Sequence, residues 1–185
     1  MIEIEQLVAD CREANTEVQA HKAVQEVVAR AVADPKGLMQ GLGEMQRAGV
    51  QKLFQSDELT VLNVVWGAQM TLMPHNHEMW AVIGVYSGRE DNIFWRRLPD
   101  RSDGRIRAAG ARELCVGDVA PLGKDIIHSV TNPIPRLTGA IHVYGGDFFE
   151  TPRSEWDPES LLEGRYDVEK NMRLFEEANN RLNAH

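Results

Sequence analysis

Between Glu58 and Phe149 the chain is cut into short runs rich in Val, Ile, Trp and Tyr, separated by "SGRED", "LPDRSDGR", "VGD" and "NPIPR". Clusters of Gly, Pro, Asn and Asp end strands and turn the chain. The segment therefore reads as a series of short strands closing into an antiparallel barrel or sandwich, and the expected fold class is mainly β.

The flanks have a different period. From residue 1 to about 54 the apolar positions recur at three-and-four spacing, with Leu7, Val8 and Cys11, then Val24, Val27, Val28, Ala31 and Val32, which predicts helices. Asp34-Pro35 breaks the pattern and opens a third helix, expected to run from about Pro35 to Arg47 and to end at Gly49. Beyond the strands, Trp156 to Leu162 reads as a short helical piece, and Val168, Met172, Phe175 and Leu182 stripe a longer helix within a C-terminal section spanning 155–184. A length of 185 residues with 43% hydrophobic content suits one domain with a sizeable core, spanning 1–185, with its β-barrel over 58–149.

The formal net charge is −8, and no Lys/Arg cluster is long enough to track a phosphate backbone, which argues against nucleic acid as a partner. The start "MIEIEQLVADCREAN" lacks the basic and apolar regions of a secretory signal, and no run of about 18 apolar residues follows, so the expectation is a cytoplasmic protein with no membrane partner. Cys11 and Cys115 lie far apart in unlike contexts and read as small hydrophobes rather than as a disulfide or a thiolate metal site.

The chemistry is concentrated in "PHNHEMW". On a strand, His75 and His77 present their rings to one face while Asn76 and Glu78 turn the other way. Paired neutral imidazoles suggest a metal, but two ligands seldom make a site. Of the other four histidines, His21 lies in the first helices and His185 at the terminus; His128, in "KDIIHSVTN", and His142, in "AIHVYGGDFF", belong to the strand region. By the period of two, His142 shares a face with Ala140 and Tyr144.

These residues carry a family resemblance. "GAQMTLMPHNHEMWAVIGVYSG" resembles the first cupin motif, and "GDVAPLGKDIIHSVTN" resembles the second, with Gly117, Pro121, Gly123, His128 and Asn132 in order. Within cupins the chain is similar to the thiol dioxygenase family, through its helical N-terminal section, its three-histidine pattern and "AIHVYG", which is similar to the family's Ser-x-His-x-Tyr segment. The resemblance implies a double-stranded β-helix, a jelly-roll barrel with N-terminal helices and a C-terminal helix. It also implies Fe(II), or another divalent metal, held by His75, His77 and His128, with His142 and Tyr144 behind them as catalytic residues. Position 140, serine in the family, is Ala here, and the glutamate ligand common in cupins would fall on Ala81 or Val82.

Three neutral ligands leave the charge of a dication uncompensated, so the expected partners are a small anionic, chelating substrate and dioxygen. The implied reaction converts a thiol acid to a sulfinate. A diketone-cleaving dioxygenase and a cupin that only binds a small ligand are the alternatives. Arg89, Arg96, Arg97 and Arg136 are candidates to hold a substrate carboxylate, and Trp66, Trp80 and Trp95 are candidate pocket walls. Assembly as a homo-oligomer is left open. Neither cysteine matches the position, Val82 here, from which some cysteine dioxygenases link a sulfur to the motif tyrosine.

Overall fold

A computed structural model describes residues 1–100 and 102–183. Three helices come first: α1 (Ile4–Ala14), α2 (Ala20–Val32) and α3 (Pro35–Leu42). Eleven strands follow: β1 (Gly49–Gln55), β2 (Thr60–Trp66), β3 (Thr71–Asn76), β4 (Ala81–Ser87), β5 (Arg89–Arg97), β6 (Ile106–Cys115), β7 (Val119–Leu122), β8 (Ile127–Thr131), β9 (Thr138–Tyr144), β10 (Ser154–Trp156) and β11 (Glu163–Arg165). Helix α4 (Val168–Asn183) closes the described chain.

The strands form two antiparallel sheets, ordered β1-β2-β9-β4-β7 and β11-β10-β3-β8-β5-β6. Consecutive strands from β2 to β5 alternate between the sheets, β5 pairs with β6, and β7 to β9 alternate again. The inner quartets β2-β9-β4-β7 and β3-β8-β5-β6 make the eight-stranded jelly roll, so the expected mainly β architecture with helices at both ends is present.

Side-chain alternation produces two cores from one sheet. Leu62, Val64 and Trp66 of β2, Ala81, Ile83 and Val85 of β4, and Ala140 and Tyr144 of β9 face the space between the sheets. Their neighbours Val61, Val82, Tyr86, Ile141 and Val143 face outward against Val24, Val27, Val28 and Val32 of α2. Helices α1 to α3 thus cover one sheet, and among the described residues no helix is long and apolar enough to cross a membrane. Close approach of α2 needs Gly84: a Cβ there would stand 2.4 Å from Val28 Cγ1 and 3.0 Å from Val32 Cγ1. Gly84→Ala should lower unfolding free energy by about 1–3 kcal/mol through overpacking, read as a lower urea midpoint at unchanged slope.

Helix α4 packs beside β2. Trp66 stacks on Phe175 with ring centroids 5.5 Å apart, and Asn179 exchanges hydrogen bonds with the backbone N–H and C=O of Ala48 at 2.7 and 3.0 Å. Val168, Met172 and Phe175 of the expected stripe lie beside the space between the sheets, whereas the side chain of Leu182 lies outside the described residues.

Three expectations are corrected. Helix α3 stops at Leu42, since Gly43 adopts a positive φ of 86°, a conformation no helix continues through. Residues 49–55 are strand rather than helix, because β1 pairs along the edge of β2. Residues expected as the short helix from Trp156 to Leu162 instead form a hairpin, with β10 docked on β3 and β11. Strands of three residues have no periodicity to read; pairing alone makes them strands.

Candidate metal centre

The two cupin-like motifs supply β3 with β4 and β7 with β8, one strand of each to either sheet; β3 and β8 are neighbours in the six-stranded sheet, and their pairing sets His75 directly opposite His128. His77 lies just past the end of β3, before Glu78 turns the chain through a φ of 58°. The three rings converge, with centroids 5.1 Å (His75 to His77), 4.7 Å (His75 to His128) and 4.9 Å (His77 to His128) apart. One nitrogen from each lies within 4.8 Å of the others, and all three side chains are buried. Asn76 and Glu78 turn away and hydrogen-bond to each other.

Hydrogen bonds decide which nitrogens are left over. The Nδ1–H of His75 donates to the Met73 carbonyl at 2.8 Å, and the Nδ1 of His128 meets the Asn92 Oδ1 at 2.7 Å. Each ring therefore keeps a lone pair on Nε2. The Nε2 atoms of His77 and His128 are 3.3 Å apart, a separation that two nitrogens each about 2.1 Å from one ion can adopt. His77 Nδ1 is buried without a partner, so no protein group dictates where the proton of this ring sits. Burial pushes His75 down to about 4 and His77 and His128 well below the ordinary histidine value, with the neighbouring rings adding to the effect on the latter two. Buried nitrogen lone pairs aimed at one point need a cation or a proton, and neutral imidazoles are the form that binds metal. The residues fit a divalent transition metal.

Inward alternation of β9 places His142 and Tyr144 beside these rings. Tyr144 packs edge-on against His77 with centroids 5.0 Å apart, and its hydroxyl is 3.0 Å from His142 Nδ1. The other nitrogen, Nε2, lies 3.3 Å from an oxygen of Glu90, a residue of β5 with no solvent exposure. That carboxylate also accepts from Trp66 Nε1 at 2.8 Å and Asn92 Nδ2 at 3.1 Å. Burial alone would push its pKa up, but hydrogen bonds from His142, Asn92 and Trp66 outweigh it and hold the carboxyl below the usual range. Tyr144 is shifted the opposite way, its phenol raised by burial.

His75, His77, His128, His142 and Tyr144 all line one cavity of about 40 Å³. A water needs roughly 10–15 Å³ measured this way, so the space suits a molecule of a few heavy atoms. Its other walls are mostly apolar, including Leu62, Leu72, Phe148, Met172 and Phe175, with Tyr166 and Asn171 as the polar members. Of the three candidate tryptophans only Trp66 is a wall; Trp80 packs toward the helices, and Trp95 packs with Ile106, Ile127 and Trp156. His21 is exposed on α2, and His185 lies outside the described residues.

None of the four candidate arginines reaches the cavity. Arg89 pairs with Asp91, Arg97 with Glu163, and Arg96 and Arg136 are exposed. The cation near the site is Arg153, 6% exposed, just before β10; it touches lining residues without being one itself. Its guanidinium lies 4.1 Å from the ring centroids of both Phe148 and Tyr166, which line the cavity, and donates from Nη1 to the Phe148 carbonyl. Nε and Nη2 are buried with no hydrogen-bond partner.

Two absences on the inner face bear on the chemistry. Ala140, two residues before His142 on β9, gives that ring no hydroxyl, and Glu90 is its partner instead. The residue of β4 opposite Tyr144 is Ala81, while Val82 faces the helices; neither brings a sulfur to the ring, Cys11 is buried among the helices and Cys115 is exposed at the end of β6.

No known protein-family model matches the chain. Similar solved structures include an RmlC-like cupin with a double-stranded β-helix from Methanocaldococcus jannaschii, at 10% identity and TM-score 0.45, covering 56% of this chain and 84% of the other. DMSP lyase from Ruegeria pomeroyi aligns at 21% identity and TM-score 0.45, covering 62% of this chain and 54% of the lyase. Oxalate decarboxylase from Bacillus subtilis aligns at 13% identity and TM-score 0.44, over 58% of this chain and 27% of the decarboxylase.

Proposed function

We propose that the chain is a non-haem Fe(II) dioxygenase that oxidises a small thiol acid to its sulfinate. The observation that carries this reading is a cavity of small size walled by three neutral histidines, with no carboxylate among them, beside a buried arginine that has two unpaired nitrogens. A dication held there would keep its positive charge, with no carboxylate among its ligands to offset it and Arg153 nearby, which favours a ligand carrying both a thiolate and a carboxylate. Bound iron would lower the thiol pKa and supply the redox chemistry with dioxygen. The balance is simple: a thiol and one O₂ give a sulfinate and a proton, with both oxygen atoms on sulfur and no outside reductant.

The protein's own groups have distinct tasks. His75, His77 and His128 hold the metal. Arg153 receives the substrate carboxylate, its guanidinium fixed by Phe148 and Tyr166. The Tyr144 hydroxyl, placed by His142, hydrogen-bonds the reacting atoms. The apolar walls keep water from competing.

Oxygen uptake by anaerobically iron-loaded protein tests the reading against 3-mercaptopropionate, cysteine, mercaptosuccinate, cysteamine and acetylacetone. The expected result is equimolar consumption of O₂ and a thiol acid, a product heavier by two oxygen atoms, and poor use of cysteamine, which lacks the carboxylate. Arg153→Met should raise KM for the thiol acid by about 30-fold, equivalent to the roughly 2 kcal/mol lost with a buried charge partner. Uptake with acetylacetone alone would establish carbon–carbon cleavage instead, and binding without uptake would make the protein a ligand carrier.

A further inference from the structure

We propose that Glu90 is a positioning residue that sets the proton arrangement on both sides of the site, through Asn92 on His128 and through His142 on Tyr144. The inference deepens the reading of His75, His77 and His128 as metal ligands and rests on it.

The argument follows hydrogen-bond polarity outward from one carboxylate. Glu90 and Asn92 are two apart on β5 and face inward together, 0% and 2% exposed. Indole Nε1 can only donate, so the Glu90 oxygen it touches at 2.8 Å must accept. Along one branch, the other Glu90 oxygen accepts from Asn92 Nδ2 at 3.1 Å. The amide is thereby oriented with Oδ1 toward His128, 2.7 Å from Nδ1, which must carry the ring proton. Nε2 of His128 is left bare toward His77. Along the other branch, Glu90 takes the Nε2–H of His142 at 3.3 Å, which directs Nδ1 to the Tyr144 hydroxyl at 3.0 Å. One buried anion thus specifies the ligand atom of His128 and the aim of Tyr144, a task for which the family's serine is absent.

Glu90→Gln separates this role from simple packing. The amide oxygen must stay with Trp66 and His142, so the NH₂ faces Asn92. Asn92 then turns its own oxygen to the new donor and its NH₂ to His128 Nδ1. That nitrogen can only accept, and the proton moves to Nε2, where it blocks the metal. Competition against a chelator, with Co(II) as the probe, should show affinity reduced about 10- to 100-fold, the usual effect of losing an outer partner of a metal ligand. Adding Asn92→Asp to Glu90→Gln supplies an acceptor for both neighbours and should restore affinity to near that of the parent. Imidazole nitrogen NMR of metal-free parent should find the His128 proton on Nδ1, and Glu90→Gln should move it to Nε2.

Parental affinity in Glu90→Gln, or a His128 proton on Nε2 in the parent, would overturn the proposal. Absence of metal binding by the parent would instead remove the metal-site reading, and the two NMR measurements would still decide the role of Glu90; where Glu90→Gln folds poorly, a His128 proton on Nε2 in the parent would still overturn it.

Discussion

In His128→Ala protein, metal content falls from about one ion per chain to a small fraction of that, while the far-UV spectrum stays that of the parent. The expectation follows from ligand number: His75 and His77 alone make a two-ligand site, which seldom retains an ion. Loss of a ligand costs more than the roughly 10- to 100-fold typical of an outer hydrogen bond. The barrel does not depend on this ring, because the outer core of α1 to α3 against β2, β4 and β9 lies on the far side of one sheet. Stability gives a second readout. Metal at 100 times its Kd should stabilise the parent by about 2.7 kcal/mol, a rise of about 5–10 °C in Tm for a chain of this size, and should leave His128→Ala unmoved. Unchanged stoichiometry in His128→Ala, measured by elemental analysis, would remove His128 from the site.

What the sequence made legible was whatever carried a period or a motif. Alternation predicted that His75 and His77 share a face, and the strand pairing adds His128 opposite His75 and brings His142 and Tyr144 to the same cavity. Glu90 was hidden because "SGRED" reads as a turn, whereas β5 already begins at Arg89. A polar pair two residues apart, Glu90 and Asn92, was the available signal of an inward polar face. Arg153 was hidden for another reason. It follows the apparent end of the barrel at Phe149, and only the docking of β10 on β3, with Glu155 opposite His75, carries it back to the site. Long-range pairing of so short a strand leaves no local trace in composition.

Tyr144→Phe should lower kcat by about 10²-fold or more while leaving metal content and KM nearly unchanged. The ring keeps its packing, 5.0 Å from His77 and 4.4 Å from Phe148 by centroids, so the cavity wall survives the substitution. What is lost is a hydroxyl whose direction is set by His142 Nδ1 at 3.0 Å and, behind it, by Glu90. With its proton held by His142 Nδ1, the hydroxyl meets the cavity through a fixed dipole; a preorganised dipole in a dry site acts most where charge develops, and removing one typically costs about 10²- to 10³-fold in kcat. The split between kcat and KM identifies the role: an interaction made only in the transition state lowers kcat, whereas one made equally with bound substrate raises KM. Burial holds the phenol protonated, above its ordinary value, so at neutral pH the group is a neutral hydroxyl rather than a phenolate ligand of the metal. Phe at this position should therefore leave the absorption of a Co(II)-substituted protein unchanged as turnover falls. Equal kcat in parent and variant would reduce Tyr144 to a packing residue.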